Sequence, residues 1–434
     1  MRLDRQILAI ALPAIVTNIT TPLLGLMDVA ITGHLGRAEY IAAIAVGGNI
    51  FNMLYWIFSF LRSGTSGLTA QAYGAGDTQA FSRVFFRSLV VAVALGAAIL
   101  LCQRPVVEIF VKWMDVTGDT ALFTRQYFEI LVWGAPAFLC TYSISGWFIG
   151  MQDSRSAMWM SLAINVINMA ASLLLVIVFD MKIEGVAAGT LIAQWSGLAI
   201  GAVLVAKRYT LSRVKFSDLM ERNEFGRFFR VSRDLFLRTV CLVAVTLWFT
   251  RVGASQGTVM LAANTLLMQF FLFFSYFTDG FAYAGEALAG RYIGEKNGER
   301  FRAAVSRLMM WGLGVALLFV AIYGFGGTLF LRLLSDDAGV VAVAADFRWW
   351  IVLMPLTGFA AFVYDGVFVG ATEARHLLGS MIVSAAIFFG TYLLLFPRMG
   401  NHGLWIAFLL YLLARGVYLA IQCRRLVAFH AKNV

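Results

Sequence analysis

Four acidic residues stand inside long apolar stretches of this 434-residue chain. Asp28 interrupts the run 23–31, and no Lys or Arg lies within a helical turn of it. Asp279 and Glu286 are seven positions apart, so a helix would carry both on one face. Asp365 sits in Tyr364-Asp365-Gly366. A carboxylate taken out of water is costly unless a cavity, a counter-ion or a proton compensates it. Acids in that situation bind and release protons or cations, which makes them candidates for ion-coupled work. The aromatic run 269–277 leads into Asp279, and rings beside carboxylates suit a lipophilic cation. Plainer readings stand beside these: Glu286 close to a helix end and paired with Arg291 in water, Arg62 snorkelling, and Asn165 and Asn168 bridging helices.

Other chemistries lack their residues. The chain has no P-loop, no GxSxG and no HExxH, and its four His are scattered without metal spacing. Its four Cys form no CxxC pair, so neither a disulfide frame nor a zinc site is expected. The reading is of a non-enzyme with no metal and no cofactor.

The elements that must position the acids follow from composition. The chain is 60% hydrophobic and 13% charged, with a mean hydropathy of +0.80. Soluble domains are about half apolar and about a quarter charged, so a soluble enzyme, a disordered scaffold and a fibrous protein are excluded. Apolar blocks of helical length recur near 7–33, 40–60, 82–101, 123–149, 157–179 and 186–206. After a polar stretch, 207–232, they recur near 234–252, 259–288, 303–331, 347–370, 377–396 and 404–422. Each is long enough for a spanning helix of about 20 residues, and none alternates as a barrel strand would. The expected fold is an all-α polytopic membrane protein of twelve transmembrane helices. Pro13 and Pro22 lie in the first span, where each removes a backbone hydrogen bond and favours a bend.

Of the 34 Lys and Arg, 22 fall on the side holding both termini and nine on the other; Arg62, Arg238 and Arg415, near helix ends, are unassigned. The positive-inside rule places both termini in the cytoplasm, with the chain in the cytoplasmic membrane. The net charge of +10 is therefore a topology signal with some attraction to anionic lipid, not a nucleic-acid footprint.

A constant shift of 220 positions superposes Phe148-Ile149-Gly150 on Phe368-Val369-Gly370, Gly146 on Gly366, Gly74 on Gly294, Arg87 on Arg307 and Arg155 on Arg375. Two pseudo-symmetric six-helix lobes are expected, 1–206 and 233–434, joined by the cytoplasmic linker 207–232. Transporters built on such a repeat bind substrate between the halves. The shift carries Asp28 onto Trp248, so proton chemistry at that position belongs to the first lobe alone.

Leu26-Met27-Asp28 followed by Gly33-His34-Leu35-Gly36 resembles the multidrug and toxic compound extrusion (MATE) transporters. The segments Gly67-Leu68-Thr69-Ala70-Gln71-Ala72-Tyr73-Gly74, Asp279-Gly280-Phe281-Ala282-Tyr283-Ala284-Gly285-Glu286-Ala287 and Asp365-Gly366-Val367-Phe368-Val369-Gly370-Ala371-Thr372 resemble its DNA-damage-inducible protein F branch. The resemblance covers essentially the whole chain. It implies a drug and cation antiporter of two six-helix lobes, acting as a monomer on small lipophilic or cationic substrates among membrane lipids. It further implies that Asp28 is the coupling residue and that the first span bends at Pro13 on protonation. Family members with a sodium-competent first-lobe site add a fifth-span Asn, an Asp one turn later and a sixth-span Thr. Asn168 and Thr190 match, whereas Ser172 stands at the aspartate position. Loss of that hard anionic oxygen points to H+ rather than Na+ as coupling ion. Asp28, Asp279, Glu286 and Asp365 are the expected acids of the substrate cavity. The alternative in another functional class is a flippase for a lipid-linked saccharide, whose cavity would be lined by Arg and Lys.

Overall fold

A computed structural model describes the backbone of residues 2–33, 37–219 and 221–432. The side chains at 2, 21, 23–24, 26–30, 32–33, 38, 216–217, 222–223 and 430–432 lie outside the described set. Asp28 is among them, and residues 34–36 of the first-span motif are outside it altogether.

Among the described residues all regular structure is helical. The first half comprises α1 (Arg2–Gly33), α2 (Ala38–Ile57), α3 (Phe60–Gly74), α4 (Thr78–Leu101), α5 (Gln103–Trp113), α6 (Gly118–Leu131), α7 (Ala135–Gly150), α8 (Ser154–Leu173) and α9 (Ile183–Arg208). After the short α10 (Phe216–Leu219) come α11 (Arg222–Ser255), α12 (Thr258–Gly294), α13 (Gly298–Leu334), α14 (Ala338–Asp346), α15 (Arg348–Gly370), α16 (Ala374–Met399) and α17 (Asn401–Lys432). Eleven helical stretches among the described residues are long and apolar enough to cross a membrane. They coincide with the second to twelfth expected spans; α1 carries the first. Its backbone is helical through both Pro13 and Pro22.

Helices outrun the apolar blocks, because hydropathy marks the hydrocarbon slab and not where backbone hydrogen bonding stops. The Gly67–Gly74 motif, which follows the second apolar block, is the helical end of α3, and Ser63, Thr65, Ser66 and Thr69 there are buried. Arg83 and Arg87 stand on α4, which starts four residues before the third apolar block. Arg87 is buried and donates to the carbonyl of Leu219 (2.9 Å) and to Glu224 (2.9 Å). Among the described residues of the polar stretch 207–232, only 209–215 and 221 lie outside helices.

The repeat is written into the backbone. Helix starts recur 220 positions apart at Arg2 and Arg222, Ala38 and Thr258, Thr78 and Gly298, and Ser154 and Ala374; ends recur at Gly74 and Gly294 and at Gly150 and Gly370. Left-handed residues recur at the same offset: Gly76 and Lys296, Gln152 and Thr372, Asp180 and Gly400. Asp77 caps α4 through the amide of Ala80 (2.8 Å), and Asn297 caps α13 through that of Arg300 (3.0 Å); such caps satisfy amides that a helix start leaves unpaired. A Cβ at Gly146 would fall on the carbonyl of Arg62, and one at the equivalent Gly366 on that of Ala282.

The chain divides into two compact units. An N-terminal unit holds residues 16–73 and 77–225, and a C-terminal unit holds 1–15, 74–76 and 226–434. The first division falls inside α1, two residues after Pro13. The N-terminal unit packs Phe85, Trp147, Phe148 and Met160. The C-terminal unit is more aromatic, with Phe249, Phe274, Phe319, Phe388 and Trp405 buried together.

Candidate functional site

In the N-terminal unit, Asn168 and Ser172 stand one turn apart on α8, and Thr190 faces them from α9. Glycine at 189 lets the two helices close, since a Cβ there would fall on Ser172. Thr190 donates its hydroxyl proton to the carbonyl of Val186 (3.1 Å) and accepts from the Asn168 amide nitrogen (2.8 Å). A hydroxyl has one proton to give, so the amide nitrogen must face Thr190 and the Asn168 carbonyl oxygen is left over. That oxygen and the Ser172 hydroxyl are buried without a hydrogen-bond partner among the described residues. Asn165 donates to the carbonyl of Thr20 (3.3 Å), tying α8 to α1 eight residues before Asp28. The three polar residues are neutral. They can accept a proton-bearing group, but they offer no anionic oxygen, and no metal-holding cluster of His, Cys, Asp and Glu exists among the described residues.

The C-terminal unit holds an ionic centre. Asp365 on α15 receives hydrogen bonds from Arg238 on α11 and Arg415 on α17, both on the same carboxylate oxygen. Neither arginine is near a helix end: each stands mid-helix. Arg415 is buried, with its guanidinium 5.5 Å from the centre of the Phe362 ring. The second Asp365 oxygen and the Nε of each arginine are buried without a hydrogen-bond partner among the described residues. Asp279, half-buried on α12, lies within electrostatic reach of Arg415. Glycine at 366 allows α15 to touch the α12 backbone beside Asp365. The sequence marked the acid but not its counter-ions; an Arg in the middle of each of two apolar spans was the available signal.

Glu286 on α12 is buried, not in water, and Arg291 donates to Glu295 (2.6 Å). The aromatic run is largely packing: Phe270 meets Tyr323 (5.0 Å between ring centres) and Phe274 meets Phe319 (5.4 Å).

Each polar centre occurs in one half only. The positions 220 residues after Asp28, Asn168, Ser172 and Thr190 are Trp248, Phe388, Tyr392 and Leu410. Trp248 packs edge-on against Tyr392, with 6.0 Å between ring centres. The positions 220 residues before Asp365, Arg238 and Arg415 are Ser145, Asn18 and Trp195.

Residues 13–174 and 234–390 match the MatE family. The DNA damage-inducible protein F of Escherichia coli (strain K12) is 35% identical over 428 residues, covering 97% of this chain and 92% of that protein. Protein DETOXIFICATION 44, chloroplastic, of Arabidopsis thaliana is 24% identical, covering 95% of this chain and 81% of its own length. The fold is shared with a MOP superfamily transporter from Pyrococcus furiosus: TM-score 0.89 at 19% identity, over 99% of this chain and 97% of that one.

Proposed function

The chain belongs to the MatE family of membrane transporters, which are not enzymes, and on that premise we propose that it exports lipophilic and cationic compounds across the cytoplasmic membrane in exchange for protons. In this reading the termini lie in the cytoplasm, which the Lys and Arg distribution supports. Asp28 carries the proton, and Asn168, Ser172 and Thr190 are its polar partners. The observation supporting this reading is the contact between Trp248 and Tyr392. Those residues stand in the second repeat where Asp28 and Ser172 stand in the first, and by that equivalence their contact supports Asp28 and Ser172 as neighbours. The Asn168 carbonyl oxygen, without a partner among the described residues, is the acceptor that a protonated carboxyl donor needs.

A proton on Asp28 and a cationic cargo compete for the same charge, and their coupling must be reciprocal. Protonation from outside lowers cargo affinity and reshapes α1 near Pro13; deprotonation towards the cytoplasm restores it. Asp279, Glu286 and Asp365 are the further acids proposed for the cargo path. A flippase for lipid-linked saccharides would need arginines free to hold phosphate, whereas Arg238 and Arg415 are both engaged by Asp365.

The test is efflux of a fluorescent cation from vesicles in which pH and sodium gradients are imposed separately. A pH gradient alone should drive wild-type export, and Asp28→Asn should abolish it. Undiminished export by Asp28→Asn overturns the assignment of Asp28, and export driven only by sodium overturns that of the ion.

A further inference from the structure

The C-terminal unit contains a groove of about 670 Å³ walled by α13, α15 and α17, which neither polar centre uses. Its walls are apolar, with Met309 and Leu313 from α13, Phe359 from α15 and Cys423 from α17. Met310 and Leu313, on its rim, are 58% and 41% exposed, so in a membrane-spanning chain the groove opens to lipid. One end is different. Arg302 and Arg424 enter the lining there, with Ser306 beside them. Arg302 stands one turn after the start of α13, and Arg424 lies in the last part of α17.

Depth and charge together select an occupant. From Arg302 to Leu313 a helix rises about 16 Å, roughly one leaflet of a hydrocarbon core about 30 Å thick. The groove thus runs from headgroup level to near the bilayer midplane. Neither Arg302 nor Arg424 forms an ion pair with an acid among the described residues, although Arg233, Arg238, Arg291, Arg300 and Arg415 of the same unit do. Two guanidiniums at the mouth of an apolar slot, with no counter-ion among the described residues, complement an anionic headgroup above acyl chains. Basic pockets between spanning helices bind anionic lipids by this combination.

We infer that this groove is a binding site for one anionic phospholipid of the surrounding leaflet, held by Arg302 and Arg424 at the phosphate and by the α13–α17 slot along an acyl chain. The site does not depend on the cargo or the coupling ion. Bound there, the lipid rests on α15 and α17, the helices that carry Asp365 and Arg415.

The test is native mass spectrometry of the full-length protein released from vesicles of equal phosphatidylglycerol and phosphatidylcholine. The wild type should retain one phosphatidylglycerol in clear preference to phosphatidylcholine. One basic contact changes occupancy about fivefold, so Arg302→Gln and Arg424→Gln should each lower the preference about fivefold and the double variant about thirtyfold. Arg425→Gln, outside the lining, should leave it unchanged. Met309→Trp should expel the lipid with both arginines intact, and unchanged thermal melting certifies each variant as folded. Equal retention of the two lipids by the wild type overturns the inference. So does a loss in Arg425→Gln matching that in Arg424→Gln, which would show bulk surface charge at work.

Discussion

Replacing Asp365 by Asn removes the one carboxylate that both Arg238 and Arg415 address. The two arginines then face different futures, because the Arg415 side chain is 3% exposed and that of Arg238 is 20% exposed. Arg238 can turn towards solvent or headgroups; Arg415 cannot. A unit charge pair about 4 Å apart is worth about 4 kcal/mol at an effective dielectric near 20, and orphaning a buried partner costs about 3–5 kcal/mol. Asp365→Asn should therefore destabilise the C-terminal unit by about 3–5 kcal/mol. Arg238→Gln should cost only about 1 kcal/mol, since Arg415 still compensates the acid. In Asp365→Asn/Arg415→Met the orphaned charge is gone, so the double variant should be more stable than the summed singles by about 2 kcal/mol or more. Unfolding in mixed detergent–SDS micelles, followed by tryptophan fluorescence, measures wild type, Asp365→Asn, Arg238→Gln, Arg415→Met and the double variant. Reactivity of the half-buried Cys241 thiol, three residues after Arg238, reports the same region locally. An Asp365→Asn variant within about 0.5 kcal/mol of wild type, or strict additivity in the cycle, would refute the reasoning.

Ser172→Asp places an anionic oxygen one turn from Asn168, and efflux at fixed pH should then respond to a sodium gradient; vesicle transport with and without sodium checks it. Gly366→Ala drives a Cβ into the backbone carbonyl of Ala282, which side-chain repacking cannot relieve. Its cost should reach about 3 kcal/mol, while Gly314→Ala, with open space around it, should gain about 0.5–1 kcal/mol from helix propensity. Thermal melting of the two variants side by side checks the contrast. Asp153, in the turn before α8, carries the pH prediction. Burial opposes its charge, but hydrogen bonds from the Ser156 hydroxyl and amide and from Tyr209, with Arg208 alongside, outweigh that and hold its carboxyl below the ordinary value. A depressed folded value means stability that is complete above the unfolded pKa of about 3.9 and lost as pH falls through the folded one. Wild-type melting temperature should accordingly fall more steeply than that of Asp153→Asn between about pH 5 and about pH 3.

What the sequence alone determined is what can be read along a line. Apolar run length gave the spans, and the asymmetry of Lys and Arg gave an expected orientation. A constant offset of 220 gave the repeat, which the helix starts and left-handed residues then matched position by position. The resemblance to MATE transporters nominated Asn168, Ser172 and Thr190, and the close approach of α8 and α9 at Gly189 brings them together. Hydropathy misjudged where helices stop, because backbone hydrogen bonding continues beyond the apolar block, as in the buried polar residues of α3 and at the start of α4. The counter-ions of Asp365 were not legible. Arg238 and Arg415 lie 127 and 50 positions from it, and nothing in their spacing says that α11, α15 and α17 turn these faces towards one another. Helix rotation and neighbour choice are set by packing across the bundle, where small residues such as Gly366 let backbones touch. Only the tertiary structure decided that the second-half acid is compensated by two arginines, because charge compensation in a low-dielectric interior depends on distance through space.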